Sequence, residues 1–428
     1  MNKKIIKGCF YSNYGGNCMG MDLVISNLIE ISKKITKGGI TLIDVVSKQK
    51  LKVALVSYYY LKPTISGVGV HVYNLAKYLV KHNCEVHIFC HGDMDNYYKE
   101  NGAYIHVIGG VLTPISDSFS KKRFEYDLFE SEVIKEFVRE NLKRKFDVIH
   151  THGSLTKAAF ILKKVYSLKW IHTFHAIEKL RVKELSKEEK QFEDLITWIE
   201  HTTNYCDGAI FVSKDLLSSG KKQYILKSAK VIPNGVDFEL FNHFPITGKN
   251  VLFIGRFSKD KGIDFLPELI KNVMTIKNAT FTAICPYTSI EGELKGIRDS
   301  IALLESRYKE RLKIITTPQD QDDLIYLYRE SKIYVQPSKY ESFGLCILEA
   351  MATGRPVVAF NVGGIPHVIG DAGFLVNNKK EFIYKVKQLL DDQIECAKVG
   401  KKAYDRAKLF NWDLIAKQTI NYYEEVKI

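Results

Sequence analysis

The chain has 428 residues, 46% of them hydrophobic and 26% charged, which suits a globular protein with more than one core and excludes a disordered or fibrous chain. No run of about 18 apolar residues occurs and no apolar stretch precedes a small-residue cleavage site, so neither a membrane span nor a secretory leader is expected, and a cytoplasmic location is. The net charge of +13 comes from scattered Lys and Arg, with short clusters at Lys121-Lys122-Arg123 and Lys143-Arg144-Lys145; without aromatic interleaving, no nucleic-acid partner is expected.

Residues 1–50 stand apart as an N-terminal extension. They hold a Gly-, Asn-, Cys- and Tyr-rich stretch (Tyr11 to Gly20), a helical pattern near Asp22–Ile35, and Lys37-Gly38-Gly39. The first buried strand is predicted at Leu51–Ser57, followed by a helix over Val68–His82 and strands at Glu85–Cys90 and Tyr104–Ile108. Next come a helix at Asp127–Asn141, a strand at Asp147–His150, a helix at Leu155–Tyr166 and a strand at Trp170–Thr173. A polar helix at Glu184–Tyr205 and strands at Gly208–Val212 and Lys230–Ile232 complete this half, and Pro233-Asn234-Gly235 ends it in a tight turn. Such alternation predicts a parallel sheet covered by helices on both faces. The eight cysteines (Cys9, Cys18, Cys84, Cys90, Cys206, Cys285, Cys346, Cys396) form no C-x-x-C pair, and most sit in apolar patterns, as buried thiols do.

Two segments of this half could carry chemistry. Gly67 and Gly69, in Ser66-Gly67-Val68-Gly69-Val70-His71-Val72, lie between the first strand and first helix, where glycine lets backbone N–H groups approach a ligand. Val72 stands where a dinucleotide fingerprint needs a third glycine, so that fingerprint is absent. His175 follows the strand in Ile171-His172-Thr173-Phe174-His175-Ala176, at the sheet edge where open α/β folds bind ligands. His150 and His152 occupy a similar strand end; two histidines at i, i+2 without a nearby carboxylate make a poor metal site.

A second set of elements opens with the strand Asn250–Gly255. Helices are predicted at Asp264–Lys277, Gly292–Leu304 and Asp322–Glu330, and strands at Ala279–Ile284, Lys313–Thr316, Ile333–Gln336 and Pro356–Ala359, with a final helix at Trp412–Val426. Two Rossmann-like halves joined near residues 237–249 follow from this repetition. Arg256 and Lys261 sit on the loop after the opening strand, where two fixed cations suit a departing diphosphate. In Pro337-Ser338-Lys339-Tyr340-Glu341-Ser342-Phe343-Gly344-Leu345-Cys346-Ile347-Leu348-Glu349-Ala350-Met351-Ala352, two carboxylates lie eight residues apart around a helix start, with Ser342 as the expected N-cap. An anion-binding helix end flanked by acids fits a ligand bearing both phosphate and hydroxyls, a nucleotide sugar. Asp320, Asp322 and Asp323 read as a helix start, and no D-x-D motif sits on a cleft loop, so no metal is expected.

The E-x7-E pattern, with Ser-Phe-Gly after Glu341 and Glu-Ala-Met-Ala at Glu349, resembles the retaining family-4 glycosyltransferases of the GT-B fold, and so do the Arg256–Lys261 loop and the Gly67 loop. The resemblance covers residues 51–428. It implies two Rossmann-like domains facing a cleft: an acceptor-binding domain at 51–240, a nucleotide-sugar-binding domain at 241–405, and a C-terminal helix at 406–428 crossing back to the first domain. By the same resemblance, Glu341 and His175 contact the donor sugar and Arg256 and Lys261 stabilise the leaving group. Glu349 holds the ribose, while Gly67, Gly69, Phe343, Gly344 and Leu345 approach the donor through their backbones. The turn Pro233-Asn234-Gly235 and the loop Gly363-Gly364-Ile365-Pro366 also match. The segment Cys285-Pro286-Tyr287-Thr288-Ser289 departs from the family's glycine-rich turn, which leaves the nucleotide base open.

The implied reaction moves a sugar from a nucleotide-diphosphate sugar, as substrate and with no cofactor, to a glycan, lipid-linked or small-molecule acceptor. A lipid-linked acceptor and the basic charge together suggest peripheral contact with an anionic membrane at its inner face. A sugar phosphorylase or disaccharide synthase of the same fold is the enzymatic rival. A basic membrane- or nucleic-acid-binding protein with an inert site is the rival of another class; the intact set Arg256, Lys261, Glu341 and Glu349 speaks against it.

Overall fold

Val53, Ala54, Leu55 and Val56 are all fully buried, a run with no polar alternation, and such a strand needs cover on both faces. Strand β1 (Lys52–Ser57) accordingly lies inside a sheet, paired in parallel with β2 (Glu85–His91) on one side and β5 (Val148–His152) on the other. The computed structural model describes residues 50–60, 66–109, 118–153, 155–181, 202–286 and 293–427. The predicted helix at Asp22–Ile35, residues 184–201 of the predicted polar helix, Cys9, Cys18 and Tyr287 lie outside them.

The first sheet has the order β3-β4-β2-β1-β5-β6-β7-β8. Its remaining strands are β3 (Asn96–Glu100), β4 (Ala103–Ile108), β6 (Lys169–Phe174), β7 (Gly208–Phe211) and β8 (Ala229–Val231). Helix α1 (Gly67–Lys81) follows β1, α2 (Ser118–Arg144) precedes β5, and α3 (Lys157–Tyr166) joins β5 to β6. Short α4 (Glu178–Arg181) follows β6, and α5 (Lys214–Gln223) follows β7. Only β3 runs antiparallel among the described strands, hairpinned to β4 through Asn101 (φ 48) and Gly102 (φ 83). That Asn-Gly pair is the strongest short hairpin signal, yet β3 is not among the predicted strands, because it is largely exposed and lacks an apolar period.

The second sheet has the order β11-β10-β9-β12-β13-β14, all parallel. Its strands are β9 (Asn250–Ile254), β10 (Thr280–Ile284), β11 (Leu312–Ile315), β12 (Ile333–Gln336), β13 (Val357–Phe360) and β14 (Phe374–Val376). Helices α6 (Leu266–Val273), α7 (Glu293–Tyr308), α8 (Gln321–Glu330), α9 (Leu345–Ala352), α10 (Ile365–Ile369), α11 (Lys379–Asp391) and α12 (Gln393–Ala407) connect and follow them. As expected, Asp320 caps α8, its carboxylate accepting from the Asp323 N–H. In both sheets the strand order reverses beside the opening strand, β1 in one and β9 in the other, and a reversal of this kind leaves a crevice at the carboxyl ends of the strands.

Helix α13 (Trp412–Lys427) crosses back to the first sheet, as the resemblance implied. The Tyr423 hydroxyl lies 2.6 Å from His150 Nδ1, and the Ala209 N–H donates to the Tyr422 hydroxyl at 3.1 Å. Trp412, 1% exposed, leaves no room for a side chain at Gly235, where a Cβ would come 2.6 Å from its ring. One apolar cluster runs from Phe174 and Phe211 through Val236 and Phe241 to Tyr328 and Leu348, so the two sheets share a core. Among the described residues, no helix is long and apolar enough to cross a membrane.

Candidate active site

The loop after β9 and the loop after β12 are tied together by a buried acid. The Asp260 carboxylate accepts from Arg256 at 3.2 Å and from Ser258, while its backbone carbonyl accepts from the N–H groups of Lys339 (2.8 Å) and Tyr340 (3.2 Å). Gly262 makes the approach feasible. It sits at φ +75, and a Cβ there would fall 1.8 Å from the Pro337 carbonyl oxygen. This packing brings Lys261 Nζ to 2.7 Å from Glu341 Oε2, a pair only 17% and 12% exposed. Arg256 stays half-exposed beside it. Three of the four predicted catalytic side chains therefore stand in one constellation around Asp260, a residue the sequence reading did not single out. Its signal was a carboxylate set between Arg256 and Lys261 in Arg256-Phe257-Ser258-Lys259-Asp260-Lys261.

The helix after Glu341 begins later than expected. Ser342 does not cap it; α9 starts at Leu345 with Gly344 as N-cap, at φ +96, a conformation that favours glycine. Ser342 and Phe343 instead form a bend held from the side, because the Gly364 N–H donates to the Glu341 carbonyl at 2.7 Å and a Cβ on Gly364 would meet the Ser342 carbonyl at 2.0 Å. Phe343 is 2% exposed and anchors the bend against Phe410, ring centroids 5.8 Å apart. Glu349, inside α9, accepts a 2.8 Å hydrogen bond from the Tyr328 hydroxyl. Burial raises its carboxyl to about 7, and the Tyr328 bond pulls the other way.

From the first sheet, Gly67 opens α1 with Ser66 as N-cap, its hydroxyl accepting from the Val68 N–H. A Cβ at Gly67 would lie 3.1 Å from Leu345 Cδ1, so the glycine loop abuts the start of α9. Gly69 is buried within the first turns of α1. His175 follows β6 and is partly exposed, with its ring 4.6 Å from His71 and 5.5 Å from His152. Burial holds His175 and His152 well below the ordinary imidazole range, and neighbouring histidines push the same way. His150 is locked by Tyr423 and by Thr173, 2.7 Å from its Nε2, so it supports the core rather than the crevice. A further link went unforeseen: the Ile177 N–H donates to the Tyr340 hydroxyl at 3.2 Å, joining the segment after His175 to the segment before Glu341.

Comparison with known proteins places these features in a family. The family model described as Glycosyltransferase Family 4 matches residues 65–240, and the model described as Glycosyl transferases group 1 matches residues 248–392. The chain belongs to glycosyltransferase family 4. An uncharacterized glycosyltransferase of Methanocaldococcus jannaschii is 27% identical over 404 residues, covering 87% of this chain and 98% of the relative. A D-inositol 3-phosphate glycosyltransferase of Corynebacterium urealyticum is 26% identical, over 84% of this chain and 91% of the relative. Among solved structures, sucrose-phosphate synthase from Thermosynechococcus elongatus superposes with a TM-score of 0.74 at 21% identity, over 88% of this chain and 99% of that one. HepE from Anabaena, in complex with UDP and glucose, gives a TM-score of 0.66 at 18% identity, over 87% and 99%. This family-4 glycosyltransferase thus has the GT-B architecture, with two parallel-rich sheets and their strand ends turned to one crevice.

Proposed function

We propose that this glycosyltransferase moves a sugar from a nucleotide diphosphate to a hydroxyl acceptor with retention of configuration. The observation that carries the reading is the constellation of Arg256, Lys261 and Glu341 at the strand ends of the second sheet, one loop away from the start of α9. Negative charge grows on the diphosphate as the C1–O bond breaks; a fixed guanidinium and ammonium stabilise it most when already held in place, and Asp260 and Glu341 hold them. Glu341 keeps a second carboxylate oxygen for a sugar hydroxyl, and Glu349 offers its carboxylate to the ribose. His175 contributes a neutral imidazole on the opposite wall. The acceptor oxygen forms the new C1–O bond on the face the diphosphate leaves, and the acceptor proton passes to the departing phosphate oxygen, so no side-chain nucleophile is invoked.

Residues 51–240 take the acceptor and 241–405 the donor in this reading, with Gly67, Gly69, Phe343, Gly344 and Leu345 lining the donor through their backbones. The acceptor is a glycan, a lipid-linked sugar or a small polyol, and the corynebacterial relatives' name makes inositol phosphate one small-molecule candidate. The +13 charge supports a peripheral contact with anionic lipid if the acceptor is membrane-borne.

The test is thermal stabilisation by uridine, guanosine, adenosine and cytidine diphosphates and their sugars, with Arg256→Ala and Glu349→Ala alongside. One nucleotide is expected to raise Tm selectively, and both substitutions to weaken its binding about tenfold or more. Stabilisation by none of them would remove the donor site from this reading.

A further inference from the structure

Two of the histidines at the ends of β5 and β6 belong to the core. His150 is held between Tyr423 and Thr173, and His172 Nδ1 lies 2.8 Å from the Thr151 hydroxyl. His152 is different. It is 1% exposed, its Nδ1 lies 3.2 Å from His175 Nε2, and its Nε2 is buried with no hydrogen-bond partner among the described residues. We infer that His152 is a positioning residue for His175: its Nδ1–H donates to His175 Nε2, which fixes the His175 proton on Nδ1 and makes that N–H the group offered to the donor sugar. The sugar contact rests on the transfer reaction proposed above, while the histidine pair stands on its own geometry.

The direction of the bond follows from the atoms around it. A neutral imidazole carries one N–H and one lone pair. Were His175 the donor, His152 would hold its proton on Nε2, a buried N–H without an acceptor among the described residues. With His152 as donor, the atom left over is a lone pair, and buried acceptors go unpaired more often than buried N–H groups do. His71 has the same arrangement. Its Nδ1 lies 2.7 Å from the Asn234 side-chain oxygen, which takes the N–H and leaves a buried Nε2 lone pair. Burial lowers His71 to about 4 and holds His152 and His175 well below the ordinary imidazole value, so all three rings are neutral at pH 7.

The pair is braced from several elements. The His152 ring packs on that of His150, centroids 4.2 Å apart, and His150 is fastened to α13 through Tyr423. The His71 ring on α1 meets His175 edge-on at 4.6 Å and Trp412 at 5.3 Å. His152 stands opposite Thr173 in the parallel ladder, so His175 lies two residues beyond that register, close enough for its ring to return to His152. A ring held in one tautomer has its N–H ready before the sugar arrives, which is when a fixed dipole helps most. Because its lone pair is engaged by His152, His175 has no nitrogen free to take a proton. It therefore acts on the sugar as a hydrogen-bond donor and not as a base, in keeping with an acceptor proton that passes to the departing phosphate.

The tautomer is read first, in the ligand-free full chain, by nitrogen-15 imidazole correlation spectroscopy, with His175 assigned by its loss in His175→Gln. A proton on Nδ1 and a hydrogen-bonded Nε2 are expected, and a proton on Nε2 would overturn the assignment whatever the enzyme transfers. Two substitutions then separate hydrogen bonding from packing. His152→Asn puts an amide N–H where Nδ1–H stood and gives up the ring; His152→Phe keeps a ring and gives up the N–H. Transfer by the Asn variant should stay within about threefold of the parent. The Phe variant should lose about ten- to a hundredfold in kcat, with binding of the free nucleotide diphosphate unchanged and the fold retained by circular dichroism. An active Phe variant beside an inactive Asn variant would make His152 a packing residue and overturn the proposal. Should the parent turn over no nucleotide sugar, the transfer reading fails alone. The spectra still decide the pair, since His175 should keep its single tautomer in His152→Asn and show a mixture in His152→Phe. A single tautomer in both would also overturn the proposal.

Discussion

Glu349 shows how a candidate site residue is held at a cost to the fold. Its carboxyl is raised from an ordinary value near 4.5 to about 7 by burial, the Tyr328 hydroxyl offsetting only part of the desolvation. Because the folded value lies above the unfolded one, the neutral form favours folding. That contribution is whole below about pH 4.5 and is lost as pH rises to about 7, above which the native chain carries an unfavourable carboxylate. Glu349→Gln keeps an acceptor for Tyr328 and removes the charge. It should gain about 2 kcal/mol of stability at pH 8 and almost nothing at pH 4.5, by denaturant unfolding at the two pH values. The same substitution should weaken the nucleotide about tenfold if the carboxylate holds the ribose. An equal gain at both pH values would trace the effect to packing instead of charge.

At the scale of elements, helix α3 illustrates a contact between helices that local patterns hide. Its N-cap Thr156 makes no side-chain cap hydrogen bond; instead Glu130, 5% exposed on α2, accepts from the N–H groups of Lys157 (2.8 Å) and Ala158 (3.3 Å). Glu130→Ala leaves both N–H groups without this acceptor, that of Ala158 in a buried position, and should cost about 2 kcal/mol in chemical denaturation. Glu130→Gln, which retains an acceptor, should cost less than half of that. The β/α alternation itself was legible, since runs such as Val53–Val56 and the helical apolar period are written locally. The first turns of α2 were not, because Ser118-Phe119-Ser120-Lys121-Lys122-Arg123 is too polar to carry a period. Among the candidate site residues, Arg256, Lys261, Glu341 and Glu349 stood out through short motifs. The ion pair of Lys261 with Glu341 and the meeting of His71 with His152 and His175 depend on strand order, which no local spacing encodes.

At the scale of the whole molecule, the chain between the two sheets is held at both ends by polar contacts. Lys77 on α1 pairs with Asp237 at 2.9 Å, and His71 with Asn234, so the turn after β8 is fastened to the first helix. Arg355, fully buried, donates to the carbonyls of Ser331 (2.8 Å), Thr353 (3.0 Å) and Phe244, pinning the segment ahead of β9 to the second sheet. The Tyr340–Ile177 bond differs from these, because it spans the crevice itself, two residues past His175 and one before Glu341. The hydroxyl also donates to the Ile177 carbonyl at 3.4 Å, and such a contact is worth about 1 kcal/mol, too little to hold the halves together alone but enough to bias their closure severalfold. Tyr340→Phe keeps the ring and removes the bond. Its global stability should stay within about 0.5–1 kcal/mol of the parent, since the shared core and α13 carry the fold. If the bond registers His175 against Glu341 on closure, KM for the nucleotide sugar should rise about three- to fivefold, the factor about 1 kcal/mol allows. In small-angle scattering the ligand-free variant should have a larger radius of gyration, and saturating nucleotide should restore the parent value. Unchanged kinetics and scattering would make the Tyr340 contact incidental and leave closure to Lys77, Asn234 and the C-terminal helix.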